Sequence, residues 1–154
     1  GVTVKADTPE EIVALYQCRE VMEGLGARLC ARHATPEQVA ELKELCKEMH
    51  AIEDATARVE VNSRFHSMIA QFSGNDRVVD YLADFRERVN RDMYLSSFNA
   101  VRTHDCDDEH DHIVDAIERH DEVAAENAMR KHINNAFIFK RANAELQDKN
   151  LNEV

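Results

Sequence analysis

The apolar positions of this chain recur at intervals of three and four residues, the period of a helix with one buried face. Ile12, Leu15, Tyr16, Arg19, Met22 and Gly26 form one such stripe, and Val78, Leu82, Phe85, Val89 and Met93 form another. Helix starts are marked at both "TPEE" (Thr8 to Glu11) and "TPEQ" (Thr35 to Gln38). Each offers a threonine cap, a proline in the first helical position and an acid or amide three residues after the cap. The spacing predicts a first helix to about Arg32 and a second to about Ala55. "ATAR" (Ala55 to Arg58) makes a short break before a third helix that runs through Phe72.

Ser73 to Asp76, "SGND", reads as a turn, because Gly74 and Asn75 tolerate positive φ. A fourth helix follows. "SSFNAVRTHDCDDE" then reads as a loop whose acids favour a helix N-terminus. The fifth helix is expected over Asp107 to Arg119, and Asp121 caps a sixth to about Ala144, with the polar end "ELQDKNLNEV" fraying. Only 4 glycines and 2 prolines punctuate 154 residues, and charged residues are mixed along the chain, so the fold class expected is all-α.

With 44% hydrophobic side chains, a chain of this length supports one well-buried core, so residues 1–154 are read as a single domain. A formal charge of -11 without any basic block argues against direct contact with a nucleic-acid backbone. No apolar run is long enough to cross a bilayer, and no signal segment opens the chain, so the cytoplasm is the expected compartment and no membrane partner is expected. Cys18, Cys30, Cys46 and Cys106 form no Cys-x-x-Cys pair and are read as buried thiols in a reducing compartment. The first residue is Gly1 rather than methionine, which suggests a piece of something longer.

The candidate chemistry lies in histidines on apolar faces. His66 is in register with Asn62 and Ile69 on the third helix; His110 with Ile113, Val114 and Ile117 on the fifth; His132 with Ala125, Ala128, Met129, Ala136 and Phe139 on the sixth. Three helices each point one imidazole inward. His112 aligns with Asp115 and Arg119 on a polar face, and His33, His50, His104 and His120 are read as solvated.

A single core histidine needs only a backbone carbonyl or an acid, whereas three bring six ring nitrogens, each costing roughly 1 to 3 kcal/mol if buried without a partner. A shared divalent metal meets one nitrogen on each, and neutral imidazole suits zinc, nickel, copper or iron. Asn62 can add a carbonyl oxygen. Such a donor set is neutral, so an anion is expected on the ion, which predicts a small acidic ligand. Arg19 sits on the buried stripe of the first helix, either paired with Glu23 four residues on or clamping the carboxylate of that ligand; the two are compatible. For Arg86, Arg88 and Arg91, exposed pairing with Glu87 or Asp84 is the simpler expectation, while Arg102, in the long loop, is a weaker candidate to fold over a ligand.

At these residues a family resemblance enters. "YQCREVMEGLGARLCARHAT", "NSRFHSMIAQFSGN" and "DEHDHIVDAIERHDEVAAENAMRKHI" resemble, in order and spacing, the FCD domain, the C-terminal effector-binding domain of FadR-type GntR-family transcriptional regulators. The resemblance implies an antiparallel bundle of six or seven helices around a metal site, usually zinc or nickel. It also implies a winged-helix DNA-binding domain, expected to lie outside these 154 residues, and a homodimer. The family's metal ligands fall on Asn62, His66, His110 and His132, the first being more commonly aspartate, and Arg19 matches an arginine of the first-helix pattern. Effectors implied are small carboxylates such as hydroxy acids and sugar acids; the branch that binds an acyl-coenzyme A without metal should lack the three inward histidines.

The function expected is therefore ligand sensing by a transcriptional regulator, with no enzyme activity. The competing expectation is a hydrolase-like metalloenzyme using water activated on a three-histidine ion, which requires a general acid or base; Glu109 points about a third of a turn away from His110 and Glu23 is better explained by Arg19, so none is evident. A purely structural metal is a third possibility, distinguished by closed coordination.

Overall fold

The computed structural model describes the backbone of residues 8–85 and 100–152. Six helices account for nearly all of it, and no strand occurs among the described residues. They are α1 (Pro9–His33), α2 (Pro36–Ala51), α3 (Ala55–Phe72), α4 (76–85), α5 (Ala100–Glu118) and α6 (Glu122–Asn152). The all-α expectation holds.

Local sequence explains most boundaries. Thr8 Oγ1 accepts from Glu11 N at 3.2 Å while the Glu11 carboxylate accepts from Thr8 N at 2.7 Å, and Thr35 and Gln38 repeat the reciprocal arrangement at the start of α2. Gly74, at φ 66, turns the chain after α3, and Asn75 Oδ1 accepts from Arg77 N at 3.0 Å to open α4. Asp121 Oδ1 accepts from Ala124 N at 3.0 Å at the start of α6. Just before it, His120 adopts φ 54 and donates from Nδ1 to the Ala31 carbonyl oxygen at 2.7 Å, pinning the α5–α6 turn to α1.

Three boundaries differ from the sequence expectation. Ala55 to Arg58 is helical; the break comes earlier, at 52–54, where Asp54 Oδ1 accepts from Ala57 N at 2.8 Å. Arg58 accounts for the difference. Its guanidinium is buried, donates to the Met49 and Ile52 carbonyl oxygens at the end of α2, and pairs with buried Asp107 of α5. Continuing the helix through Arg58 therefore closes the end of α2 and ties three helices together. The supposed loop before Asp107 is helical from Ala100, which puts Cys106 on the same helix as His110. The polar C-terminal segment remains helical to Asn152 rather than ending near Ala144. Val89, Met93, Arg86, Arg88 and Arg91 lie outside the described residues, as do the side chains of Ile12, Arg102 and His104.

The elements pack α1 against α6, α5 against α6, and α2 against both α3 and α5, with α3 and α5 also touching α1. Phe65, Leu42, Ile113, Ile117 and Ile133 are fully enclosed at the centre, with Met49, Ile69 and Met129 beside them. This core is contributed by five helices, so a side chain on the inner face of α1, α3, α5 or α6 faces its counterparts on the others. That arrangement positions the site.

Candidate functional site

His66 of α3, His110 of α5 and His132 of α6 are buried to 8%, 1% and 2% exposure, and they converge. Each offers a ring nitrogen lying within 4.8 Å of those of the other two. Ring centroids are 5.7 Å apart for His66 and His110, 5.2 Å for His66 and His132, and 4.5 Å for His110 and His132. Phe65 packs at 4.6 Å from the His110 ring and 5.6 Å from that of His66, giving the cluster an apolar wall. Asn62, buried one turn before His66 on α3, shares its inward face.

Two carboxylates orient two of the imidazoles. Glu23 of α1 accepts from His66 Nδ1 and, through its other oxygen, from Arg19 Nε at 2.6 Å. Burial alone would raise the Glu23 carboxyl, but the charges of Arg19 and His66, with their hydrogen bonds, outweigh it and hold the group far below the usual carboxylate range. Glu109 of α5 accepts from His132 Nδ1 at 2.8 Å and is braced by Asn135, whose Nδ2 donates to its second oxygen at 2.6 Å. Burial pushes the His132 imidazolium down to about 4, against the opposing pull of Glu109, so this ring is neutral at pH 7.

The chemistry follows from the tautomers. A neutral imidazole that donates from Nδ1 presents a lone pair on Nε2. His66 Nε2 is buried with no hydrogen-bond partner among the described residues, an arrangement that an ion would satisfy. Carboxylates on the far nitrogens are the usual outer support of metal-binding histidines, fixing ring orientation and raising basicity. The cluster could therefore hold a metal ion. Cys106, Glu109 and His132 form a second group whose candidate ligand atoms also lie within 4.8 Å of one another.

Sequence periodicity brought the three histidines and Asn62 to the correct faces, and put Arg19 and Glu23 together. Arg19 is 2% exposed, and its pairing with Glu23 is realised. Glu109 lies about a third of a turn from His110 on α5, yet its side chain spans to His132 on α6. Cys106, expected as a buried thiol, is half-buried, with Sγ 3.9 Å from His110 Nε2. The usable signal was its i, i+4 spacing to His110, which requires a helix where a loop was expected. Cys30 and Cys46 are buried, with burial raising both thiols to about 12, whereas Cys18 is exposed, contrary to expectation. His33 and His112 are exposed as expected, and His50 pairs at the surface with Asp111 at 3.1 Å.

Comparison with known proteins places this arrangement. Residues 14–135 match the FCD domain family across most of the chain. The chain belongs to the FCD family. The HTH-type transcriptional repressor NanR of Escherichia coli is 31% identical over 134 residues, covering 82% of this chain and 49% of that protein, and the NanR of Enterobacter sp. is equally similar. The chain thus spans about half the length of the curated relatives it matches. Among solved structures, Streptococcus agalactiae GntR is 27% identical with a TM-score of 0.66, covering 87% of this chain and 61% of that one. Escherichia coli McbR/YncC has a TM-score of 0.80 over 92% of this FCD chain and 73% of its own, at 15% identity, a likeness of fold alone. No helix among the described residues is long and apolar enough to cross a membrane.

Proposed function

We propose that this FCD chain is the ligand-sensing domain of a GntR-family, FadR-type transcriptional regulator, folded as one unit over residues 1–154. It binds a divalent transition metal through Asn62, His66, His110 and His132, with zinc the first candidate and nickel the second. A small carboxylate effector binds at the same centre, near Arg19. DNA is contacted by a separate winged-helix domain, the regulator works as a cytoplasmic homodimer, and the effector changes the geometry in which its two DNA-binding halves are held.

The observation that carries the reading is the convergence of three buried imidazoles, two of them braced by a carboxylate on Nδ1. The transcriptional setting is supported by the similarity to NanR and to Streptococcus agalactiae GntR. A bound divalent ion would supply positive charge to attract a carboxylate. The protein's own residues prepare for that: His132 is neutral, Glu23 is balanced by Arg19, and an amide oxygen or imidazole nitrogen bound to an ion brings no negative charge to it. Glu23 and Glu109 are both committed to imidazole nitrogens, so neither stands as a general base, and the role is binding without a covalent step.

Calorimetry of the metal-loaded chain against a panel of hydroxy acids, sugar acids and dicarboxylates tests the sensing role. Saturable heat with at least one carboxylate, weakened in Arg19→Met, is the expected result. An absence of heat across the panel with the metal retained would refute effector binding at this centre.

A further inference from the structure

Arg58 of α3 and Asp107 of α5 form an ion pair in the interior, both side chains being buried. Arg58 stands one helical turn before Asn62 and two before His66, on the buried face of α3. Asp107 stands one turn before His110 on α5. The pair therefore lies a single turn away from the histidine cluster on two of the helices that supply it. The same guanidinium also donates to the Met49 and Ile52 carbonyl oxygens at the end of α2.

Stability alone does not account for such a pair. The desolvation penalty of two buried charges can equal or exceed their attraction, and apolar residues of similar volume often serve at least as well. What the pair adds is direction, because a guanidinium fork fixes the distance and angle at which its carboxylate sits, whereas apolar contacts allow sliding. That constraint matters between α3 and α5. Each packs mainly on α1 and α2, and the ring contact of Phe65 with His110 that links them, at 4.6 Å, is apolar and permits such sliding. Donor atoms around an ion must hold their distances to about 0.2 Å, while one residue of slip along a helix axis is about 1.5 Å.

We propose that the pair of Arg58 and Asp107 positions the metal centre, setting the register of α3 against α5 so that Asn62 and His66 meet His110 at coordination distance. The inference rests on the reading of the histidine cluster as a metal site, and it adds two residues that act on that site through helix register rather than as ligands.

Zinc affinity of the full 154-residue chain, measured by competition with a chromogenic chelator, is the readout, with urea unfolding and circular dichroism on the metal-free form of each variant. Arg58→Met combined with Asp107→Leu should lose about tenfold or more in zinc affinity, the scale of removing an outer partner of a metal ligand. Asp107→Ala should lose as much. Asp107→Asn has the same charge as the alanine variant but keeps an oxygen to accept from Arg58, so it should recover affinity to within about threefold of the unmodified chain. Leu42→Ala opens a cavity in the core on α2, which supplies no candidate ligand; it lowers stability with the pair intact and should also stay within about threefold. An unchanged affinity in the double variant would overturn the positioning role, as would a loss in Asp107→Asn equal to that in Asp107→Ala. A loss in Leu42→Ala as large as in the double variant would overturn it too, since affinity would then follow stability alone. Each of these leaves the metal site standing, whereas an unmodified chain that takes up no zinc would remove both.

Discussion

Replacing Glu109 by Gln probes how far the metal site depends on the carboxylate that braces it. The carboxylate uses its two oxygens separately, one accepting from His132 Nδ1 at 2.8 Å and the other from Asn135 Nδ2 at 2.6 Å. A glutamine has one acceptor oxygen and one amide that only donates, so it cannot serve both donors. Either His132 loses its acceptor or Asn135 does, and in the first case the imidazole is free to take the tautomer that removes the lone pair from Nε2. His132 is 2% exposed, so water does not readily replace the lost partner. A hydrogen bond to a charged group contributes about 1.5 to 3 kcal/mol, which matches the 10- to 100-fold loss in metal affinity usual for removal of such an outer partner. Zinc affinity measured by competition with a chromogenic chelator should therefore fall by about one to two orders of magnitude, with helicity unchanged. An affinity within about threefold of the unmodified chain would refute the bracing role, since that corresponds to less than 1 kcal/mol.

Two further results are expected. Asp107→Ala leaves the Arg58 guanidinium buried without its carboxylate and should lower unfolding stability in urea by about 3 to 5 kcal/mol, while the apolar double replacement Arg58→Met with Asp107→Leu recovers part of it, short of the whole because the Met49 and Ile52 carbonyls lose their donor; equal losses in both variants would contradict the account. For the metal-free chain, His132 is held at about 4 when folded against about 6.5 when unfolded, so the unfolded state takes up the proton first as the pH falls. Stability should therefore decline as the pH drops from about 6.5 toward 4, by on the order of 1 kcal/mol per pH unit, and the slope between about pH 6.5 and 4.5 should flatten in His132→Gln; an unchanged slope in that variant would assign the dependence elsewhere.

How much was legible in the sequence depended on the distance over which the cause acts. Capping boxes at Thr8 and Thr35 and the turn at Gly74 are decided within four residues, and they were read correctly. The faces of His66, His110 and His132 follow from the helical period, and once three helices pack on one core their inward positions must meet. The start of α3 has a local signal in the Asp54 cap, but helix through Arg58 also rests on its pairing with Asp107, 49 residues away, which no local pattern displays. The role of Glu23 beyond its pair with Arg19 depends on His66, 43 residues away, and no local pattern encodes that contact. Glu109 was discounted from its direction on the helix alone, although a glutamate is long enough to reach a neighbouring helix from a flanking position. Cys106 was lost with the loop assigned to Ser96 to Glu109; once α5 is extended to Ala100, its register with His110 is plain.

The most direct test of the central claim is the metal content of the chain purified untagged and without chelator, compared with His66→Ala, His110→Ala and His132→Ala prepared identically. About one divalent transition-metal ion per chain is predicted for the unmodified protein, and a large loss in each variant despite retained helicity. A chain that carries no such ion, and takes up none when zinc or nickel is offered, would contradict the account, as would metal retained in full by all three variants.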